Sequence, residues 1–118
     1  MNKIYDLSER TAKFGENIII LCKKIKQTPV LSPLVNQLVR SGTSVGANYM
    51  EANGAISRKD FANKIFICKK EAQETQHWLR MLLAYGDLEK NDITILGQEC
   101  HELVLIFQKI SASVRSEN

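Results

Sequence analysis

Proline is nearly missing from this chain: Pro29 and Pro33 are its two examples, four residues apart. Long stretches on either side therefore carry no residue that would break a helix interior. No stretch alternates with the two-residue period of a half-buried strand, which argues against a sheet-based domain. Long apolar runs are missing too. Ile18–Cys22 and Leu103–Phe107 are among the longest, far short of the roughly 20 residues that cross a bilayer. Met1–Arg10 is polar and charged, without the apolar stretch of a signal peptide, so the expected location is the cytoplasm and no membrane is expected as a partner. Cys22, Cys68 and Cys100 are odd in number and lack C-x-x-C spacing, which gives no support to a metal site or disulfide framework. No serine, cysteine or threonine has a recognisable histidine–acid pair to activate it. Neither a cofactor nor a catalytic residue is expected.

What is present points to helices. The 118 residues, 44% hydrophobic and 25% charged, match one ordinary globular domain spanning 1–118. Apolar residues recur in steps of three and four in four segments. The first runs Leu7, Thr11, Phe14, Ile18, Leu21, Ile25, with Asp6 and Glu9 as a capping-box-like start. Thr28-Pro29 ends it, and Ser32-Pro33 reads as N-cap and first turn of the second segment. That segment passes through Leu34, Leu38, Gly42, Val45, Tyr49 and Ala52 to a stop at Asn53-Gly54. Ser57-Arg58-Lys59-Asp60 is a further capping box. It opens the seam Phe61, Ile65, Cys68, Ala72, Thr75, Leu79, Leu82, which ends near Tyr85-Gly86. The fourth seam is Ile93, Leu96, Cys100, Leu103, Phe107, Ile110, Val114. Short links between amphipathic helices favour antiparallel neighbours, hence an all-α, up-down four-helix bundle.

Two features exceed what a lone bundle needs. Ser41 to Asn48 is almost entirely small, with Gly42 and Gly46 in mid-helix, each costing about 1 kcal/mol relative to alanine. Such a helix lets another backbone come close, either within the chain or from another subunit. The third helix also carries a second stripe, Ile67, Glu71, Glu74, Trp78, Met81 and Tyr85, which needs a partner besides the first seam. Together with the all-round apolar segments of helices one and four, this favours a homo-oligomer.

Glu71 and Glu74 lie within that second stripe. Arg40, the isolated base of the second helix, is their expected partner in a buried ion pair. Breaking such a pair would cost about 3–5 kcal/mol. The competing reading is a Mg²⁺ site: Glu99-x-x-Glu102 repeats the spacing, and paired E-x-x-E helices hold Mg²⁺ in all-α nucleotide pyrophosphohydrolases. Lys70 stands where those enzymes carry a further acid. Glu74-x-x-His77 matches half of a ferritin-like di-iron pattern, with Glu16 and Glu51 available, but Gln98 breaks the second half.

Charge is unevenly spread. Residues 1–70 carry twelve Lys and Arg against five Asp and Glu, and residues 71–118 carry four against eight. Lys23, Lys24 and Lys26, with Arg58 and Lys59 at a helix start, are the candidates for binding RNA, DNA or an RNA-associated protein. Solvated helix faces account for the same charges equally well.

Arg40-Ser41-Gly42-Thr43-Ser44-Val45-Gly46-Ala47-Asn48-Tyr49, followed by Glu51-Ala52, resembles the second-helix signature of the bacterial four-helix-bundle proteins, also called 23S rRNA intervening-sequence proteins. Ser57 to Phe61 is similar to that family's start of helix three, and Lys70 to Arg80 to its most distinctive segment, with His77 in place of an aromatic residue. The resemblance implies an antiparallel bundle assembled as a homopentamer, with no established enzymatic activity. It also implies a link to RNA, because some members are encoded within rRNA genes. A more distant similarity, at the level of fold, is to accessory proteins of diversity-generating retroelements, basic pentameric barrels that engage nucleic acid and a reverse transcriptase.

Overall fold

The computed structural model describes residues 6–116, so Met1–Tyr5 of the polar N-terminal stretch lie outside the described residues. Each seam folds as a helix: α1 Leu7–Lys24, α2 Leu31–Asn53, α3 Arg58–Tyr85 and α4 Lys90–Ser116. No strand occurs among the described residues. The helices pack in the cyclic order α1, α2, α3, α4, and the diagonal pairs do not approach. Extensive packing joins α2 to α3, α3 to α4 and α1 to α2, whereas α1 and α4 meet only lightly. With neighbours antiparallel, the α1 start, α2 end, α3 start and α4 end share one end of the bundle.

The seams supply the core. Phe14, Ile18, Leu38, Ile65, Cys100 and Phe107 are all at most 1% exposed. At roughly 1.5–3 kcal/mol for each large side chain removed from water, this burial is the main force holding the helices together. Only side chains cross the diagonal, as where the rings of Tyr49 and Phe107 sit 6.1 Å apart. Among the described residues three polar side chains are buried with them, and each is satisfied. The Thr75 hydroxyl lies 2.9 Å from Ser41 Oγ and 2.8 Å from the Glu71 carbonyl, and the Thr11 hydroxyl donates to the Leu7 carbonyl at 2.9 Å.

The caps differ in part from expectation. Ser57 accepts the Asp60 N–H at 3.0 Å, as its capping box predicts, and Gly86 ends α3 with φ +82°, where a side chain would be strained. Asp6 makes no side-chain cap bond. At α2, Thr28 takes the role expected of Ser32. Its Oγ1 accepts the Leu31 N–H at 3.1 Å and its carbonyl accepts the Ser32 N–H at 2.9 Å. Val30 is already helical, so Pro29 sits in the first turn, where its fixed φ fits. Ser32 turns outward and donates to Gln27 instead.

The small-residue segment of α2 meets α1 of its own chain. A Cβ on Gly42 would lie 2.9 Å from Ile18 Cγ1, and one on Gly46 would lie 3.3 Å from the Thr11 backbone. The close approach that the glycines permit is therefore made inside the bundle.

Candidate functional site

Arg40 projects from α2 towards α3, and the stripe expected to carry Glu71 and Glu74 stands opposite it. Its guanidinium pairs with Glu74 and lies 3.3 Å from Glu71 Oε2, while its Nε donates to Gln37 at 3.1 Å. Trp78, one turn on from Glu74, donates its indole N–H to the same carboxylate at 3.0 Å. The indole donor is the largest cause that holds the Glu74 carboxyl below the usual carboxylate range. Partial burial opposes it and Arg40 reinforces it.

The pairing matches expectation, but its burial does not. The Arg40 side chain is 46% exposed, and those of Glu71 and Glu74 are 18% and 33% exposed. The reason lies in the placement of the stripe. Ile67, Trp78 and Met81 flank the seam on the α2 side and are half-buried, and Tyr85 is exposed at the helix end. The ion pair closes the rim of the α2–α3 contact, where water reaches it.

The four carboxylates of the Mg²⁺ reading are not gathered. Glu71 and Glu74 face Arg40 on α2. Glu99 is gripped from α1 by Arg10, whose Nε and Nη2 donate to its two oxygens at 2.7 and 2.8 Å, and Glu102 is exposed. Among the described residues no three His, Cys, Asp or Glu side chains are placed to hold a metal ion, which also separates Glu74 and His77 from Glu16 and Glu51. The thiols of Cys22, Cys68 and Cys100 are buried and unpaired with one another.

The basic residues occupy two places. Lys23, Lys24 and Lys26 lie at the C-terminal end of α1, where Lys24 pairs with Asp92 at 2.9 Å near the start of α4. Arg58 and Lys59 open α3 at the other end of the bundle. The length of α3 between the two ends is about 40 Å. One subunit thus presents two separate basic ends rather than one patch.

Two features escaped the reading of the sequence. The Arg10–Glu99 fork spans the lightly packed α1–α4 cleft, and its partners are 89 residues apart. Phe66 stands 59% exposed on the outward side of α3, and Ile20 and Ile95, 52% and 62% exposed, line the same cleft between α1 and α4. The apolar surplus on helix one gave a partial signal for Ile20.

Comparison with known proteins gives matches to a family model and to solved structures. The family model of the 23S rRNA-intervening sequence protein matches residues 3–109. A crystal structure of a protein of unknown function from the S23 ribosomal protein family of Bacteroides thetaiotaomicron superposes with a TM-score of 0.81 at 32% identity, over 88% of this chain and 96% of that one. Among curated proteins there is no match.

Proposed function

The chain belongs to the 23S rRNA-intervening sequence protein family, and on that premise we propose that it is a non-catalytic helical-bundle subunit of a homo-oligomer that binds RNA through its basic surfaces. The observation that carries the reading is that three of the four E-x-x-E carboxylates are engaged across helix contacts: Glu71 and Glu74 tie α3 to Arg40, and Glu99 ties α4 to Arg10. Beside scattered exposed acids such as Glu9, Glu16 and Glu89, the surface offers apolar and basic side chains to other molecules. Ile19, Ile20, Met50, Ile95 and Leu105 are all more than 40% exposed, a distribution that supports packing between subunits. Five subunits is the number that the family resemblance favours. Cyclic repetition would bring the separate basic ends of several chains within reach of one strand, so that weak contacts add.

Light scattering during size-exclusion chromatography tests the assembly, with an expected mass several times the 13.4 kDa of one chain. A monomer at micromolar concentration would remove it. Titration of labelled RNA against salt tests the binding. With roughly five phosphates neutralised on a single strand, the slope of log K against log salt should be about −3.5. Changing Arg58 and Lys59 together to alanine should flatten it without dissociating the oligomer. Recovery of the tagged assembly from cells with bound proteins but no RNA would move the reading to a protein partner. Mg²⁺-dependent nucleotide hydrolysis that Glu74→Gln abolishes would replace it with the enzyme.

A further inference from the structure

α3 is the longest helix, and its side turned away from the bundle has a composition unlike the rest of the surface. At 100° per residue, Lys59, Asn63, Phe66, Lys70, Gln73 and Arg80 fall on one outward arc, and all six are exposed. His77 lies on the same arc, also exposed. No acid shares it. The three acids of α3 are Asp60, half-buried in the capping turn, and Glu71 and Glu74, drawn to the α2 side by Arg40. Across the groove that Arg80 lines, α4 contributes Gln98 and His101, and Glu102 stands at the far edge.

From this arrangement we infer that the outward face of α3 is a track for single-stranded nucleic acid, with Phe66 as the surface on which a base stacks. The inference rests on the RNA-binding reading above and places it on a particular face. Lys59, Lys70 and Arg80 are spaced about 16 and 15 Å apart along a straight rod of about 30 Å, so they meet phosphates at intervals along an extended backbone. Asn63 and Gln73 sit between the cations and offer both donors and acceptors to sugars and base edges. Phe66 lies between Lys59 and Lys70, the interleaving of base and ring that single-strand binders use. An exposed phenylalanine on a cationic, acid-free helix face has no use in the bundle, whose core is complete without it. A duplex hides its base faces, so it would gain from the cations alone.

The test is fluorescence anisotropy with a labelled single-stranded RNA of about 12 nucleotides, within the range of single-strand site sizes, beside the same sequence as a duplex. Wild type should prefer the single strand. Phe66→Ala should weaken that binding roughly ten-fold while leaving duplex binding nearly unchanged. The pair Lys70→Gln and Arg80→Gln should lower the salt slope by about 1.4, two phosphates at 0.7 each. All three positions are exposed, so melting temperature should hold. If wild type binds the strand but these variants match it, while Lys23→Gln with Lys26→Gln weakens it, the face is wrong and the RNA reading stands. If wild type binds no RNA even at low salt, both fall. A drop in oligomer mass on Phe66→Ala would assign the face to a second copy of the chain and overturn the inference.

Discussion

Gly42 on α2 lies so close to Ile18 on α1 that a Cβ there would meet three of the isoleucine's side-chain carbons at 2.9, 3.1 and 3.3 Å. Ile18 is fully buried and branched at the atom in contact, so it has no flexible end to move aside. Gly42→Ala should therefore destabilise by up to about 2 kcal/mol, overpacking strain of roughly 1–3 less the helix propensity that alanine gains, about 1. Gly97→Ala is the matched control. It is also mid-helix, but its Cβ would enter open space, and the change should stabilise by up to about 1 kcal/mol. Denaturant titration of both variants checks the pair. Equal shifts of the same sign would show that propensity, and not the α1 contact, governs these sites.

The seams were legible because burial follows a period: Phe14, Ile18, Leu38, Ile65, Cys100 and Phe107 all fall at the expected steps of three and four. The Arg40 pairing was legible for a different reason. α2 has a single base, so carboxylates set among apolar neighbours had few partners to choose from. Its exposure was not, since periodicity fixes the face of a residue but not its depth. The α2 cap was ambiguous locally, as Thr28-Pro29 and Ser32-Pro33 carry the same signal. Core packing decides it: with Thr28 as cap, Leu31 enters the first turn and is 2% exposed. Arg10–Glu99 could not be read at all, because it depends on how far α1 stands from α4.

The buried thiols should be inert in the folded protein. Burial pushes Cys22 up to about 11 and Cys68 and Cys100 up to about 12. Cys100 also directs its Sγ to the Ala72 carbonyl at 3.0 Å. At pH 8 a disulfide reagent should label native protein very slowly and all three thiols at once in guanidinium, since the thiolate is the nucleophile. Cys22, 8% exposed, should react first. Fast labelling under native conditions would contradict the packing of α3 on α2 for Cys68, whose Sγ meets the Val45 carbonyl, and of α4 on α3 for Cys100.

The Arg10–Glu99 fork should carry a measurable share of the α1–α4 contact because little else closes that cleft. Its side chains are 22% and 30% exposed, so water screens the pair and its two-pronged geometry compensates only in part. A double-mutant cycle with Arg10→Met and Glu99→Gln should give a coupling of about 1 kcal/mol. The coupling should shrink in about 1 M salt. Zero coupling at low salt would mean that the cleft is held by Phe14 and Leu96 beneath it.

Glu74 gives the clearest dependence on pH. Its carboxyl is held below the usual range in the folded protein, first by the Trp78 indole N–H, so across the acid range the unfolded chain binds more protons there than the folded one. The stability that this carboxylate contributes is fully present above the unfolded value of about 4.3. It is lost as pH falls through the lower folded value. Because the pair is partly exposed, the contribution is about 0.5–1 kcal/mol, below the cost of breaking a buried pair. Glu74→Gln leaves Arg40 with Glu71 and strands no charge. Wild type should exceed the variant by that margin at pH 7, with the difference closing towards pH 3 and Trp78 fluorescence changing over the same window. A difference that persists unchanged at pH 3 would assign the effect to side-chain packing and remove the carboxylate's charge from the account.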